Sequence, residues 1–204
     1  MTKNIAILAL SAIALAACGP NIKTTRVDGE WSDTLASQIT DEWVRKDTEL
    51  AAADILKQIN EHKGFQKHLG KMGRTPKIFV ADVQNGTSEP YFPIGDLNDE
   101  ILNEFSKSGE FILIDAAQRD AILKEVTYQN DGAVDPSQAK KIGKQSGADL
   151  LVFGDIRMQP KTLDGRTIKD YSVNIRMTDI TTGEEVLRTR YKTSKYSKRS
   201  GMKW

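Results

Sequence analysis

Apolar and polar positions along this chain change rhythm three times. Ile5 to Ala17 is an unbroken apolar run apart from Ser11. Residues 19–32 are polar, contain Pro20 and Gly29, and show no period, which reads as a short tether. A helical pattern begins with Asp33 or Thr34 as its cap, and Leu35, Ile39 and Trp43 fall four apart on one face. A second amphipathic stretch covers Asp47 to about Asn60, with Leu50, Ala51, Ile55 and Ile59 as its stripe. The pattern admits two helices or one bent helix. Gly64, Gly70, Gly73 and Pro76 then punctuate a predicted loop.

From Pro76 strand and helix alternate. Lys77–Gln84 reads as a strand closed by Asn85-Gly86. Pro93 and Asp96 open a helix with Leu97, Ile101, Leu102 and Phe105 on one face, and Gly109 stands where a left-handed cap needs glycine. Phe111–Ile114 is continuously apolar, as suits a sheet covered on both faces. Asp115 with Gln118 predicts the next helix start, and Asp135-Pro136-Ser137-Gln138 another, which stops at Gly147. Leu150–Phe153 is a second apolar strand ending at Gly154. Period-two alternation follows in Tyr171, Val173, Ile175 and Met177, then a turn at Thr181-Thr182-Gly183 and a returning strand, Glu185–Thr193. The predicted fold class is α/β (α+β): a mixed sheet in β-α-β-α-α-β-β-β order flanked by helices, preceded by a helical segment. The predicted segments are 1–17, 18–32, 33–75 and 76–204, the last with a basic C-terminal tail.

The first apolar run is too short to span a bilayer and has the dimensions of a signal-peptide core behind Lys3. It ends in Leu15-Ala16-Ala17-Cys18, which matches the bacterial lipobox. Cleavage between Ala17 and Cys18 and lipidation of Cys18 are the expectations. Cys18 is the only cysteine, so no disulfide is expected. Gly19 stands where an aspartate would resemble an inner-membrane retention signal, which points to the outer membrane, facing the periplasm. Acyl chains anchor through buried methylenes at roughly 0.8 kcal/mol each.

The chain has 29 basic and 28 acidic residues. Removing residues 1–17 takes away Lys3 and no acid, leaving a near-neutral product, against nucleic acid as main partner. The charge is uneven. Residues 28–61 lean acidic, and after Glu185 only Arg188, Arg190, Lys192, Lys195, Lys198, Arg199 and Lys203 are charged. That end is read as a solvated strand edge and frayed tail, or as a contact for an acidic protein surface, anionic lipid or anionic glycan.

Catalytic signatures are lacking in the sequence. His62 and His68 are six apart and share no helix face, no Gly-x-Ser-x-Gly surrounds a serine, and Gly143-Lys144-Gln145-Ser146 lacks the upstream glycine of a phosphate loop. Asp115 and Asp135 are placed as caps. No catalytic residue, metal site, cofactor or small-molecule substrate is expected beyond the lipid on Cys18. The segment Asn85-Gly86-Thr87-Ser88-Glu89-Pro90-Tyr91 follows the first strand at its carboxyl end, where open α/β sheets bind ligands. It is read as a turn in which Asn85 bonds its own backbone, or as a contact loop. Tyr171 is read as packing with Val173 and Ile175, or as presenting its ring to a partner.

Between Pro76 and about Lys195 the chain resembles the LpoB-type lipoproteins, activators of bifunctional penicillin-binding proteins. The matching pieces, in order, are Asn85-Gly86-Thr87-Ser88-Glu89, Ser108-Gly109-Glu110-Phe111, Gln129, Asp135–Gln138, Ile142-Gly143-Lys144, Gly147-Ala148-Asp149-Leu150, Gly154-Asp155-Ile156, Tyr171 and Asp179-Ile180-Thr181-Thr182-Gly183. Gly29-Glu30-Trp31-Ser32-Asp33 adds an upstream piece. The resemblance implies a domain similar to the TolB N-terminal domain and a non-enzymatic outer-membrane lipoprotein. Its partner would be the periplasmic regulatory domain of a penicillin-binding protein active in peptidoglycan synthesis. A scaffold for an outer-membrane secretion or appendage complex is the alternative. Candidate partner contacts are Asn85, Thr87, Glu89, Tyr171, Arg188 and Arg190.

Overall fold

Asp28 opens the first helix: its carboxylate accepts the Trp31 N–H at 2.8 Å and satisfies a donor that the helix cannot. The computed structural model describes residues 25–114 and 147–198, so the expectations for Ala17, Cys18, Asp115 to Ser146 and the last six residues lie outside the described residues. Helix α1 is Gly29–Ile39, α2 Arg45–Glu61, α3 Lys63–Met72, and α4 Ile94–Ser108. Strands β1 (Lys77–Val80), β2 (Gln84–Gly86), β3 (Ile112–Leu113), β4 (Leu150–Leu163), β5 (Arg166–Asp179) and β6 (Glu185–Lys198) form one sheet. Its order is β3-β1-β4-β5-β6, with β2 also on β4; β1, β2 and β3 run parallel to their neighbours, and β4–β5–β6 is an antiparallel meander.

Several local expectations are corrected. The first helix starts at Asp28 rather than at Asp33 or Thr34, because Asp28 is the residue whose side chain meets an open N–H. Trp43 is not on that helix; it lies in the 40–44 connection and is buried. The second helix begins after Val44, whose N–H donates to Asp47 Oδ2 at 2.9 Å. Residues 63–72 are helix rather than loop. His62 Nδ1 accepts the Phe65 N–H at 3.0 Å, Phe65 is fully buried, and the helix ends at Gly73 with φ of 63°. Packing of Phe65 overrides the low helix propensity of Gly64 and Gly70.

Asn85-Gly86 does not close the first strand but belongs to β2. Ile78 pairs with Leu150 and Gln84 with Asp155, so six steps on one chain match five on the other. One extra residue is absorbed at 81–83, a bulge where Val83 N–H turns away to Asn98 Oδ1 at 2.8 Å. Gly109 has φ of 67° and ends α4 as expected. Ile112 is 47% exposed, so the 111–114 run is not covered throughout.

The main core lies between the sheet and α2, α3 and α4. Ala51, Ile55 and Ile59 of α2 and Leu97, Ile101 and Phe105 of α4 repeat at helical spacing and meet Leu150, Val152, Ile156, Val173, Ile175 and Met177. On the opposite face Phe79, Leu151, Ala148 and Ile180 form a smaller buried group.

The three long strands exceed their predicted lengths. β4 does not end at Gly154: it continues through polar residues to Leu163 and turns at Asp164-Gly165, with φ of 49° and 71°, directly into Arg166. Two central residues at positive φ give the hairpin turn whose twist matches its strands. At Gly154 a Cβ would stand 2.2 Å from the Asn174 carbonyl oxygen and 2.6 Å from Ile175 Cδ1. Backbone closes that space, so relief requires prying β4 from β5. Gly154→Ala is expected to destabilise the chain by about 1–3 kcal/mol. Urea denaturation of the purified variant measures it; an unchanged midpoint would show that β4 and β5 have room there.

Candidate functional site

Residues 40–48 and 87–92 meet the inner face of β5 and β6 near the Asp164-Gly165 turn, and four of the sequence candidates, Asn85, Thr87, Glu89 and Tyr171, belong to this region. Asn85 Oδ1 accepts both the Thr87 N–H at 2.9 Å and the Thr87 hydroxyl at 2.7 Å, and Thr87 Oγ1 accepts the Glu89 N–H at 3.2 Å. This self-bonded turn, the local reading of the loop, aims Glu89 at β5. Glu89 Oε1 then accepts the Tyr171 hydroxyl at 2.5 Å and lies 2.9 Å from Lys169 Nζ. Lys169 also pairs with Asp41 at 3.0 Å, and Asp41 accepts from the Ser197 hydroxyl. On β6, Lys195 Nζ is 2.6 Å from Asp47, which is buried.

Trp43 is the apolar centre of this cluster. Its ring lies 5.5 Å from Phe92, 5.4 Å from Tyr171 and 6.4 Å from Tyr191, in tilted and edge-on arrangements, and its Nε1–H donates to Thr48 Oγ1 at 2.8 Å. The sequence pointed to Glu89 and Tyr171 but missed Lys169, Asp41 and Trp43. Period-two alternation from β5 could have placed Lys169 on the buried face beside Tyr171.

Charge follows from these contacts. Ser197 and then Lys169 hold the Asp41 carboxyl below its usual range. Burial opposes the charge on Lys169, but its bonds to Glu89 and Asp41 prevail and raise its pKa. Burial first, and the Glu89 carboxylate second, push the Tyr171 phenol upwards. A lysine held protonated and a phenol held neutral suit fastening two loops to a strand more than they suit moving a proton. Tyr171 is 1% exposed and the Glu89 side chain 13%, so the structure places these two candidates inside the ionic cluster, where they hold the fold.

Arg188 and Arg190 face the other way. The outer face of the meander carries cross-strand rows: Phe153, Arg176 and Arg188; Asp155, Asn174 and Arg190; Arg157, Ser172 and Lys192; Gln159, Asp170 and Ser194; Lys161, Ile168 and Tyr196. The basic tail of the sequence reading is thus, through Lys198, an ordered strand. Arg188 forms two 2.7 Å bonds to Glu185, Arg176 lies 4.4 Å above the Phe153 ring, and Arg190 Nε donates to Asn174 Oδ1 at 2.6 Å. Leu163, Ile168 and Tyr196 leave an exposed apolar cluster beside the hairpin turn. Among the described residues no group of acidic, histidine or cysteine side chains could hold a metal, and no helix is long and apolar enough to cross a membrane.

A family model described as "Peptidoglycan-synthase activator LpoB" matches residues 47–192, well over half of the chain. The chain belongs to the LpoB family. Of the ionic cluster, Asp47, Glu89, Lys169 and Tyr171 fall within the matched span, and Asp41, Lys195 and Ser197 lie outside it. Among solved structures the chain is similar to the LpoB C-terminal domain from Escherichia coli, at 16% identity and a TM-score of 0.47, over 72% of this chain and 98% of that one. It is also similar to the LpoB C-terminal domain from Salmonella enterica, at 16% identity and 0.44, over 63% and 93%. Lipoprotein GNA1162 from Neisseria meningitidis gives 17% and 0.47, over 62% and 88%. No curated protein sequence matches the chain. The LpoB family is one of activators of peptidoglycan synthesis and not a known enzyme family.

The ionic cluster sets a pH window. Asp41 is depressed from 3.8, so its contribution to stability is present above that value and is lost as pH falls through the lower folded one. Lys169 and Tyr171 are raised from 10.5 and 10.0, so theirs is present below those values and is lost as pH rises through the folded ones. Thermal melting is expected to be flat between about pH 5 and 9 and to fall on both sides. Tyr171→Phe should lower stability by about 1–2 kcal/mol at neutral pH and flatten the alkaline limb. An alkaline limb identical to that of the parent would remove Tyr171 from this account.

Proposed function

We propose that this chain is a non-enzymatic lipoprotein, anchored through Cys18 in the outer membrane and facing the periplasm, that binds and activates a bifunctional penicillin-binding protein. The family match over residues 47–192 carries the reading. The lipobox at Leu15–Cys18 supports the anchor. The domain supports a binding role: its buried charges are matched to each other, while its outer sheet face leaves Lys192 and Lys198 without an ion-pair partner among the described residues. On this reading the partner docks on that outer face, with Arg188, Arg190 and the Leu163, Ile168 and Tyr196 cluster at the contact.

Reach constrains the arrangement. Residues 19–32 span at most roughly 50 Å when extended, and α1 takes up the last four of them as helix. The synthase domain must therefore stand well out from its own membrane, or the N-terminal helices must open.

The test uses the lipidated chain, purified and mixed with the purified bifunctional penicillin-binding protein of the same cells. Co-elution and a several-fold rise in glycan polymerisation are expected. Absence of both, with secretion subunits co-purifying from native membranes instead, would replace this reading by the scaffold alternative. Cys18→Ser is expected to move the protein from the membrane fraction to the soluble periplasm; continued sedimentation with membranes would refute the anchor.

A further inference from the structure

The outer face of the meander holds a depression of about 410 Å³, floored by Ser172 and Asn174 and walled by Arg157, Gln159, Asp170, Arg190, Lys192 and Ser194. Its shape follows from side-chain length. Arg157, Ser172 and Lys192 are direct cross-strand neighbours, so a small hydroxyl sits between two long cations. Their backbones are about 10 Å apart, two strand spacings. Arg190 is two residues from Lys192 on the same face of β6, about 7 Å away, and no carboxylate separates them.

The local acids, Asp170 of the wall among them, are already engaged by neighbouring side chains. Asp155 holds Arg157 and accepts from Asn174 at 2.8 Å, and Asp170 holds Lys161 and the Ser194 hydroxyl. Asn174 in turn accepts from Arg190 Nε, which fixes that guanidinium, and its two terminal nitrogens have no bond among the described residues. The ammonium of Lys192 has no ion-pair partner among the described residues. Cations of one sign brought together on a fixed sheet, without a carboxylate between them, favour an anion that bridges them.

We propose that this depression is a binding site for a carboxylate-bearing saccharide. The carboxylate lies between Arg190 and Lys192 and takes the Ser172 hydroxyl as a further donor. Gln159 and Asn174 meet ring hydroxyl or acetamido groups. The volume accommodates one to two sugar rings. The supply of amide and hydroxyl groups around the cations distinguishes this site from one for an acidic protein side chain, which presents a carboxylate and little else to hydrogen-bond. The site shares Arg190 and Lys192 with the partner face proposed above, but its test uses the isolated chain with no synthase present, so the two readings fail separately.

The test is titration of the purified chain with trigalacturonate, chitotriose and tri-glutamate, followed by NMR or calorimetry. Saturable binding of trigalacturonate is expected, at least tenfold tighter than of the uncharged chitotriose, with shifts centred on residues 157, 172, 190 and 192. Lys192→Glu should abolish it, and Ser172→Leu, which fills the floor, should weaken it at least tenfold. Leu163→Ser, outside the depression, should leave it unchanged, and circular dichroism verifies that each variant is folded. Equal binding of charged and uncharged sugars, preference for tri-glutamate, or binding insensitive to both substitutions in folded protein would each overturn the proposal.

Discussion

One lysine decides how the parts of this molecule sit together. Lys169 lies on the inward face of β5, in the middle of a sheet, where a lone ammonium would be strongly disfavoured by loss of hydration. It is tolerated because two carboxylates reach it from segments far apart in the chain, Asp41 before α2 and Glu89 after β2. Its charge therefore requires both connections to be in place at once. Tyr171, Ser197 and the Lys195–Asp47 pair extend the same requirement across two strands. Pairs of this kind add modest net stability but penalise any arrangement that separates them. They fix which loop covers which strand.

This explains why the meander has two unlike faces. The inner face near its tip is polar by composition, with Lys169, Thr193, Lys195 and Ser197, yet it is covered by the N-terminal segment and by the loop before α4. The outer face uses the same residue types and remains open. Burial and exposure here are determined by whether an acid arrives from another segment. The basic residues at the end of the sequence thus divide into those that hold the fold, such as Lys195, and those left to meet a ligand, such as Lys192.

The sequence was readable where a single segment contains its own reason. Gly109 at a helix end, the 171–177 alternation and the turn after Asp179 depend on local geometry and apolar spacing. Trp43 misled because it falls four after Ile39 by coincidence, and the helix stops before reaching it. Residues 63–72 misled because glycines suggested a loop where Phe65 packing maintains a helix. The outer halves of β4 and β6 are polar, so their order comes from pairing with β5, which no single-segment pattern reveals; Asp164-Gly165 did carry the hairpin signal. The ionic cluster joins residues 82 and more positions apart in the case of Tyr171 and Glu89, and separation of that size hides a contact from any local reading.

Helix α1 differs from its neighbours in one respect: none of its residues is buried, and Trp31, Leu35 and Ile39 stand open to solvent. It is fastened at its start by Arg45, which bonds the Gly29 carbonyl and Asp33. Tension applied from the N-terminal side would therefore peel this helix of about three turns while leaving α2 and the Lys169 junction untouched. Eleven helical residues occupy about 16 Å and, drawn out, about 37 Å. The molecule thus carries some 20 Å of spare leash, released at little energetic cost and without loosening the domain it suspends.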